Sequence, residues 1–167
     1  MTRLSRALLW ILAGVAAFGV GRGILENRNK DSGAGLVRWQ PHETAAAAAR
    51  KAGKPILYDF TAAWCGPCHM LDREGWGDSG IAAMVNDSYL PSRVVDRERE
   101  DGRNPAAVED LRQRYSVTAF PTLIVAAADG RQIAKFEGYA GREWLVRFLQ
   151  ESHGQSPVPA PSTPATP

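Results

Sequence analysis

The sequence predicts an α/β fold in which helices flank a central mixed β-sheet. Three observations carry that expectation: strand-like and helix-like segments alternate through the middle of the chain, a hairpin signal follows them, and an amphipathic helix closes the series. Residues 41–52, with five consecutive alanines, read as a helix that Gly53 ends. Residues 56–60 (ILYDF) form a short apolar strand into which one carboxylate, Asp59, intrudes. Residues 65–74 have helical spacing, and a further helical turn or two is expected over 79–86 with Ser79 as its N-cap. Residues 89–96 are the next strand and 97–104 a charged loop. Residues 105–115 form a helix with proline in its first turn and Asn104 placed to cap it. The segments 122–127 and 133–139 flank Asp129-Gly130, the strongest short-range hairpin signal in the chain. The last helix, 142–150, gathers Trp144, Leu145, Phe148 and Leu149 on one face.

A chain of 167 residues, 44% of them hydrophobic, can bury one core, so one globular domain and one active site are expected. That domain is assigned to residues 37–152, between appendages at both ends. Residues 1–21 begin with Arg3 and Arg6 and continue into an apolar stretch over 7–20, the order of an export signal. The stretch is shorter than the roughly 20 residues that span a bilayer, which favours a cleaved signal peptide. Against cleavage, the small-x-small site Val15-Ala16-Ala17 lies inside the apolar run, and snorkelling of Arg22 lets a span reach Leu25. An uncleaved anchor using residues 7–25 is therefore preferred. Residues 22–36 read as a polar, Gly-containing linker, and 153–167 (HGQSPVPAPSTPATP) as a disordered tail. A formal net charge of +2, from 20 basic and 18 acidic residues with no basic run, gives no reason to expect a nucleic-acid partner.

The chain has two cysteines, in Trp64-Cys65-Gly66-Pro67-Cys68, directly after a strand and opening a helix. A bridge between them closes almost no loop entropy, so a structural disulfide is a poor explanation of the pair. A thiolate at a helix N-terminus meets unpaired N–H groups and the positive end of the dipole. Moving a cysteine pKa from about 8.5 to about 7 takes roughly 2 kcal/mol, within reach of such a terminus. Pro67 is tolerated because the first turn has no intrahelical acceptor for its missing N–H, and the three-residue spacing puts Cys68 on the same face, close enough to bridge. Two other readings of the motif remain. Cys65 to His69 matches the C-x-x-C-H pattern of c-type haem attachment, and a zinc site would need two further ligands from His42, His69 or His153. His69 is otherwise read as an exposed helix residue.

The segment Asp59-Phe60-Thr61-Ala62-Ala63-Trp64-Cys65-Gly66-Pro67-Cys68 resembles the active-site segment of thioredoxin, and Ala119-Phe120-Pro121-Thr122 resembles the cis-proline segment of that family. The resemblance implies a thioredoxin fold and a thiol:disulfide oxidoreductase, with Cys65 as nucleophile, Cys68 as resolving thiol and Asp59 as a buried carboxylate that moves protons to and from Cys68. It also implies that Pro121 is cis and faces the cysteines, and that Trp64, Gly66, Pro67, Ala119, Phe120 and Pro121 contact the substrate. No cofactor or metal is expected beyond the redox-active Cys65–Cys68 disulfide. Disulfide-bearing client proteins and a thiol electron donor, membrane-embedded or not, are the expected partners. Residues 73–86 and 97–104 are longer than their thioredoxin counterparts and are similar to those of exported thioredoxin-like proteins and the periplasmic carboxy-terminal domain of the membrane thiol reductase. That likeness implies an inner-membrane anchor facing the periplasm, or an exported periplasmic protein if the amino-terminal segment is cleaved. Ser92 and Arg93 straddle the place of the basic residue that partners the buried carboxylate in thioredoxin. The Gly-Pro dipeptide resembles that of reducing thioredoxins. A disulfide reductase is therefore the expected activity, with an oxidase or isomerase, or a non-turnover thiol-binding factor for cytochrome or metalloprotein maturation, as alternatives.

Overall fold

In the computed structural model, strand β1 (Ile56–Ala62) is the axis of the fold, and every one of its residues is buried. The structure describes residues 35–155. The expected amino-terminal signal or anchor and the tail from residue 156 onward lie outside the described residues. β1 is flanked by β2 (Leu90–Asp96), which runs parallel to it, and by β3 (Thr122–Ala126), which runs antiparallel. β4 (Gln132–Glu137) pairs antiparallel with β3, giving the order β2-β1-β3-β4. A strand buried on both faces needs no polar alternation, which is why 56–60 reads as an apolar run and extends through Thr61 and Ala62.

The two faces carry separate cores. Ile56, Tyr58 and Phe60 join Ile124 and Ala126 on one side, beneath Ala45 and Ala49 of α1 (His42–Ala52) and Val108 of α5 (Ala106–Arg114). Leu57 joins Leu123 and Val125 on the other side. It is covered by Leu71 of α2 (Gly66–Leu71), Trp76 of the π-helical turn Asp72–Trp76, Ile81 and Val85 of α3 (Ser79–Ser88), and Leu145 and Leu149 of α6 (Arg142–Gly154). Asp59 shares the period-two face of Leu57. The hairpin turn forms as the sequence predicts: Gly130 has φ +89°, its amide donates to Ala127, and the Asp129 carboxylate accepts from the Arg131 amide.

Several local expectations are corrected. Asp78, not Ser79, caps α3: its Oδ1 accepts the amides of Gly80 and Ile81, each at 2.9 Å, because a carboxylate one residue earlier reaches two orphan donors and also complements the dipole. Asn104 does not cap α5. Its Oδ1 accepts the Arg97 amide and its Nδ2 donates to Asp96, both at 2.7 Å, closing the 97–104 segment on itself and leaving Pro105 at the helix start. Within that segment a short helix, α4 (Glu98–Asp101), forms where a loop was expected, held by the Arg97–Asp101 ion pair at 2.7 Å. The last helix runs to Gly154 rather than ending at 150, so His153 belongs to it, edge-on to Tyr89, whose hydroxyl donates to the Leu149 carbonyl.

The helix expected over 65–74 changes its hydrogen-bond spacing midway. After Leu71 the ladder widens, and the Gly77 amide donates five residues back to Asp72 at 2.8 Å. Gly75 sits where this turn meets α6: a Cβ there would come 2.7 Å from Leu145 Cδ2 and 2.9 Å from Leu71 Cδ1, both in fully buried side chains. Gly75→Ala should therefore lower stability by about 1–3 kcal/mol through overpacking. The checking measurement is a urea titration, with a lower midpoint and an unchanged slope expected.

Candidate active site

The chain leaves β1 at Ala62, turns through Ala63 and Trp64, and enters α2 with Cys65 as N-cap, its amide bonded to the Ala62 carbonyl at 3.1 Å. Pro67 falls in the first turn, as expected. The Sγ of Cys65 accepts the Cys68 amide at 3.2 Å, so the sulfur at this position is held by a first-turn N–H of the helix. Cys65 and Cys68 are bridged, with Cα atoms 5.2 Å apart. Both residues are only 2% exposed, so burial does not distinguish them. What differs is that Cys65 Sγ receives the amide, which favours its thiolate once the bridge is reduced.

The bridge packs with Ala62 and Phe120. The Phe120–Pro121 peptide bond is cis, and the Ala119 carbonyl accepts the Thr122 hydroxyl at 2.7 Å, using one of its two lone pairs. Trp64 is 42% exposed and stands edge-on to Phe120, with ring centroids 5.8 Å apart. The Arg99 guanidinium of α4 lies 3.6 Å from the Trp64 ring centroid. A Cβ at Gly66 would meet nothing within 4 Å, so the surface beside the bridge is open there. Phe120 thus packs on the bridge and Trp64 on Phe120, while Gly66 and Pro67 lie between the cysteines in α2 and Ala119 and Pro121 flank Phe120 in the chain.

Asp59 is 1% exposed on the central strand, not on an edge. Its direct cross-strand partner on β2 is Arg93. Asp59 Oδ2 accepts Arg93 Nε at 3.1 Å and Trp76 Nε1 at 3.0 Å, with Arg93 Nη2 at 3.0 Å, while its buried Oδ1 has no partner among the described residues. Arg93 also reaches Asp72 Oδ1 at 2.5 Å and stacks on Trp39, 4.4 Å from the ring centroid. Burial pushes the Asp59 carboxyl above its usual range. Arg93 and the Trp76 N–H pull against that and Asp72 adds to it, but burial dominates. The basic partner is therefore Arg93; Ser92, one residue earlier on the opposite face, is fully buried, and its hydroxyl has no partner among the described residues.

Trp76, Asp72 and Arg99 were not singled out from the sequence. For Asp72 the signal was present, since it follows Cys68 by four residues on a helix. The histidines do not converge. His69 is exposed with Nε2 at 2.9 Å from the Ala63 carbonyl, which can only accept, so Nε2 carries the proton. His42 is in α1 beside Glu43, and His153 is at the far end of α6. Among the described residues no group of three or more His, Cys, Asp or Glu could hold a metal ion.

This geometry agrees with comparisons to known proteins. A family model described as a thioredoxin-like domain matches residues 42–153. Thioredoxin of Mycolicibacterium smegmatis is 31% identical over 99 residues, covering 59% of this chain and 79% of that protein. The thiol:disulfide interchange protein DsbD of Ralstonia nicotianae is 28% identical over 122 residues, covering 72% of this chain but 19% of that protein. In fold the chain is similar to the DsbH oxidoreductase, with a TM-score of 0.62 at 21% identity over 71% of this chain and 85% of that one. The chain belongs to the thioredoxin-like family of thiol:disulfide oxidoreductases, with Cys65 and Cys68 as its CXXC pair.

Proposed function

We propose that this protein is a disulfide reductase acting on exported client proteins, anchored by residues 7–25 in the inner membrane and facing the periplasm. The observation that carries the chemistry is the Cys65 sulfur held on a helix amide beside the exposed Trp64, with the buried Asp59 carboxyl on the central strand. In the reduced protein the Cys65 thiolate attacks one sulfur of a client disulfide. The client S–S bond breaks, a mixed disulfide forms, and the departing client sulfur takes a proton. Cys68 then gives its proton to Asp59 and attacks Cys65 Sγ. The mixed disulfide breaks, the second client thiol leaves, and the Cys65–Cys68 bridge remains. Two electrons have passed to the client, and the dithiol of a membrane-embedded carrier supplies two more to the Cys65–Cys68 bridge by the same kind of exchange, becoming a disulfide itself. The apolar stretch over 7–20 and the similarity to a thiol:disulfide interchange protein support the anchored, exported reading.

Equilibration of the Cys65–Cys68 couple against a glutathione series tests the direction. A reductase should have a potential more negative than the glutathione couple, at about −220 to −260 mV, and should reduce insulin catalytically when a dithiol donor is supplied. A potential well above that couple would make the protein an oxidase. Stoichiometric client capture without turnover would make it a binding factor.

A further inference from the structure

Two arginines face the aromatic pair that borders the bridge, and their charges are used differently. Arg112 lies 5.7 Å from the Phe120 ring centroid, but Asp96 at 2.7 Å, Glu98 at 3.3 Å and Glu109 at 3.5 Å surround and neutralise it. Arg99, stacked on Trp64, is exposed and has no carboxylate within ion-pair distance among the described residues. Its helical neighbours Glu98 and Asp101 are engaged by Arg112 and Arg97, and Glu100 lies about 100° further round the helix axis. The platform that carries Arg99 is not a loose loop. The Arg97–Asp101 pair, the Asn104 bonds to Arg97 and Asp96, and a left-handed Gly102 at φ +73° fold it back on the end of β2.

A client sulfur delivered to Cys65 carries its flanking residues past Trp64, the residue preceding Cys65, and so past the guanidinium stacked on it. A guanidinium lying on an aromatic face keeps its edge donors for a partner, and that edge matches a carboxylate in bidentate fashion. We infer that Arg99 is a specificity-determining residue, and that the 97–104 segment presents it so that client disulfides flanked by an acidic residue are preferred. The inference rests on the oxidoreductase reading and adds the class of substrate to it. Arg99 takes no part in the covalent steps and acts on capture.

The test uses the full-length protein and two synthetic peptides of equal length, each with one internal disulfide, identical except for Asp or Lys beside the attacked cysteine. The unsubstituted protein should reduce the Asp peptide with a kcat/KM about two- to fivefold higher, the range of an exposed charge pair, with the difference in KM rather than kcat. Arg99→Gln should erase the preference and Arg99→Glu should invert it. About 1 M salt should compress it toward unity. Equal rates for the two peptides with the unsubstituted protein, or an unchanged preference in Arg99→Glu, would overturn the role of Arg99 and leave the oxidoreductase standing. Failure to reduce either peptide would overturn both.

Discussion

Reduced Cys68→Ala protein mixed with a disulfide-bonded client is expected to accumulate a covalent adduct through Cys65, and Cys65→Ala protein is expected to form none. Both variants lose turnover completely, but only one stops at a stable intermediate. The reason lies in the hydrogen bond to Cys65 Sγ from the Cys68 amide at the start of α2. It stabilises the thiolate that attacks, and alanine at 68 keeps that backbone amide while removing the sulfur that resolves. Cys65 should accordingly alkylate with an apparent pKa at least about one unit below the free-thiol value near 8.5. Because the two cysteines are equally buried, this asymmetry tests the electrostatics of the helix terminus rather than accessibility. Non-reducing electrophoresis and mass spectrometry read the adduct. Equal trapping by both variants would remove the assigned roles.

Asp59→Asn should have two separable effects. Resolution of the mixed disulfide should slow by about 10²-fold near neutral pH, the low end for loss of a positioned general base, while initial attack by Cys65 at high pH changes little. Stability should move the other way. Burial raises the folded-state pKa of Asp59 above its unfolded value, so the folded protein holds that proton more tightly. The resulting contribution to stability is fully present below the unfolded pKa and is lost as pH rises through the raised folded pKa. Asparagine has no proton to lose, and Arg93 retains Asp72 as a partner when the charge at 59 is gone. The stability difference between the variant and the parent should therefore shift in favour of asparagine as pH rises, then level off. Denaturant titrations across pH measure it. A difference independent of pH would mean that the carboxyl does not titrate with a perturbed pKa.

The parts of this site that the sequence made legible are those encoded locally. The helix after β1, the proline in its first turn and the paired cysteines are fixed by spacing within a few residues, and the second proline segment by its similarity to a known one. The partner of Asp59 was not legible, because choosing between Ser92 and Arg93 needs the register of a parallel strand pair. One residue of slip there moves every side chain to the opposite face. Trp76 is not legible because its place depends on the widened ladder that begins at Asp72, which an unbroken α-helical period does not foresee. The cap of α3 and the interior of 97–104 were misjudged for a related reason. Asp78 and Asn104 each offered more than one hydrogen-bonding role: Asp78 caps two amides of α3 and also pairs with Arg142, whereas Asn104 bonds Arg97 and Asp96 instead of the helix that follows it.

The widened turn has an implication for how such a site could be gained or lost. A π turn amounts to one residue inserted into an α-helix, and each residue of helix turns the chain by about 100°. Removing a single residue from 72–76 would restore the α ladder at the cost of rotating Trp76 out from under Asp59. That indole donates to the carboxylate at 3.0 Å and packs edge-on against Trp39, which in turn lies beneath Arg93. A one-codon deletion outside the CGPC motif would thus strip the buried carboxylate of a donor and loosen the shelf under its cation. Length, and not only identity, is the inherited property on which the surroundings of Asp59 depend.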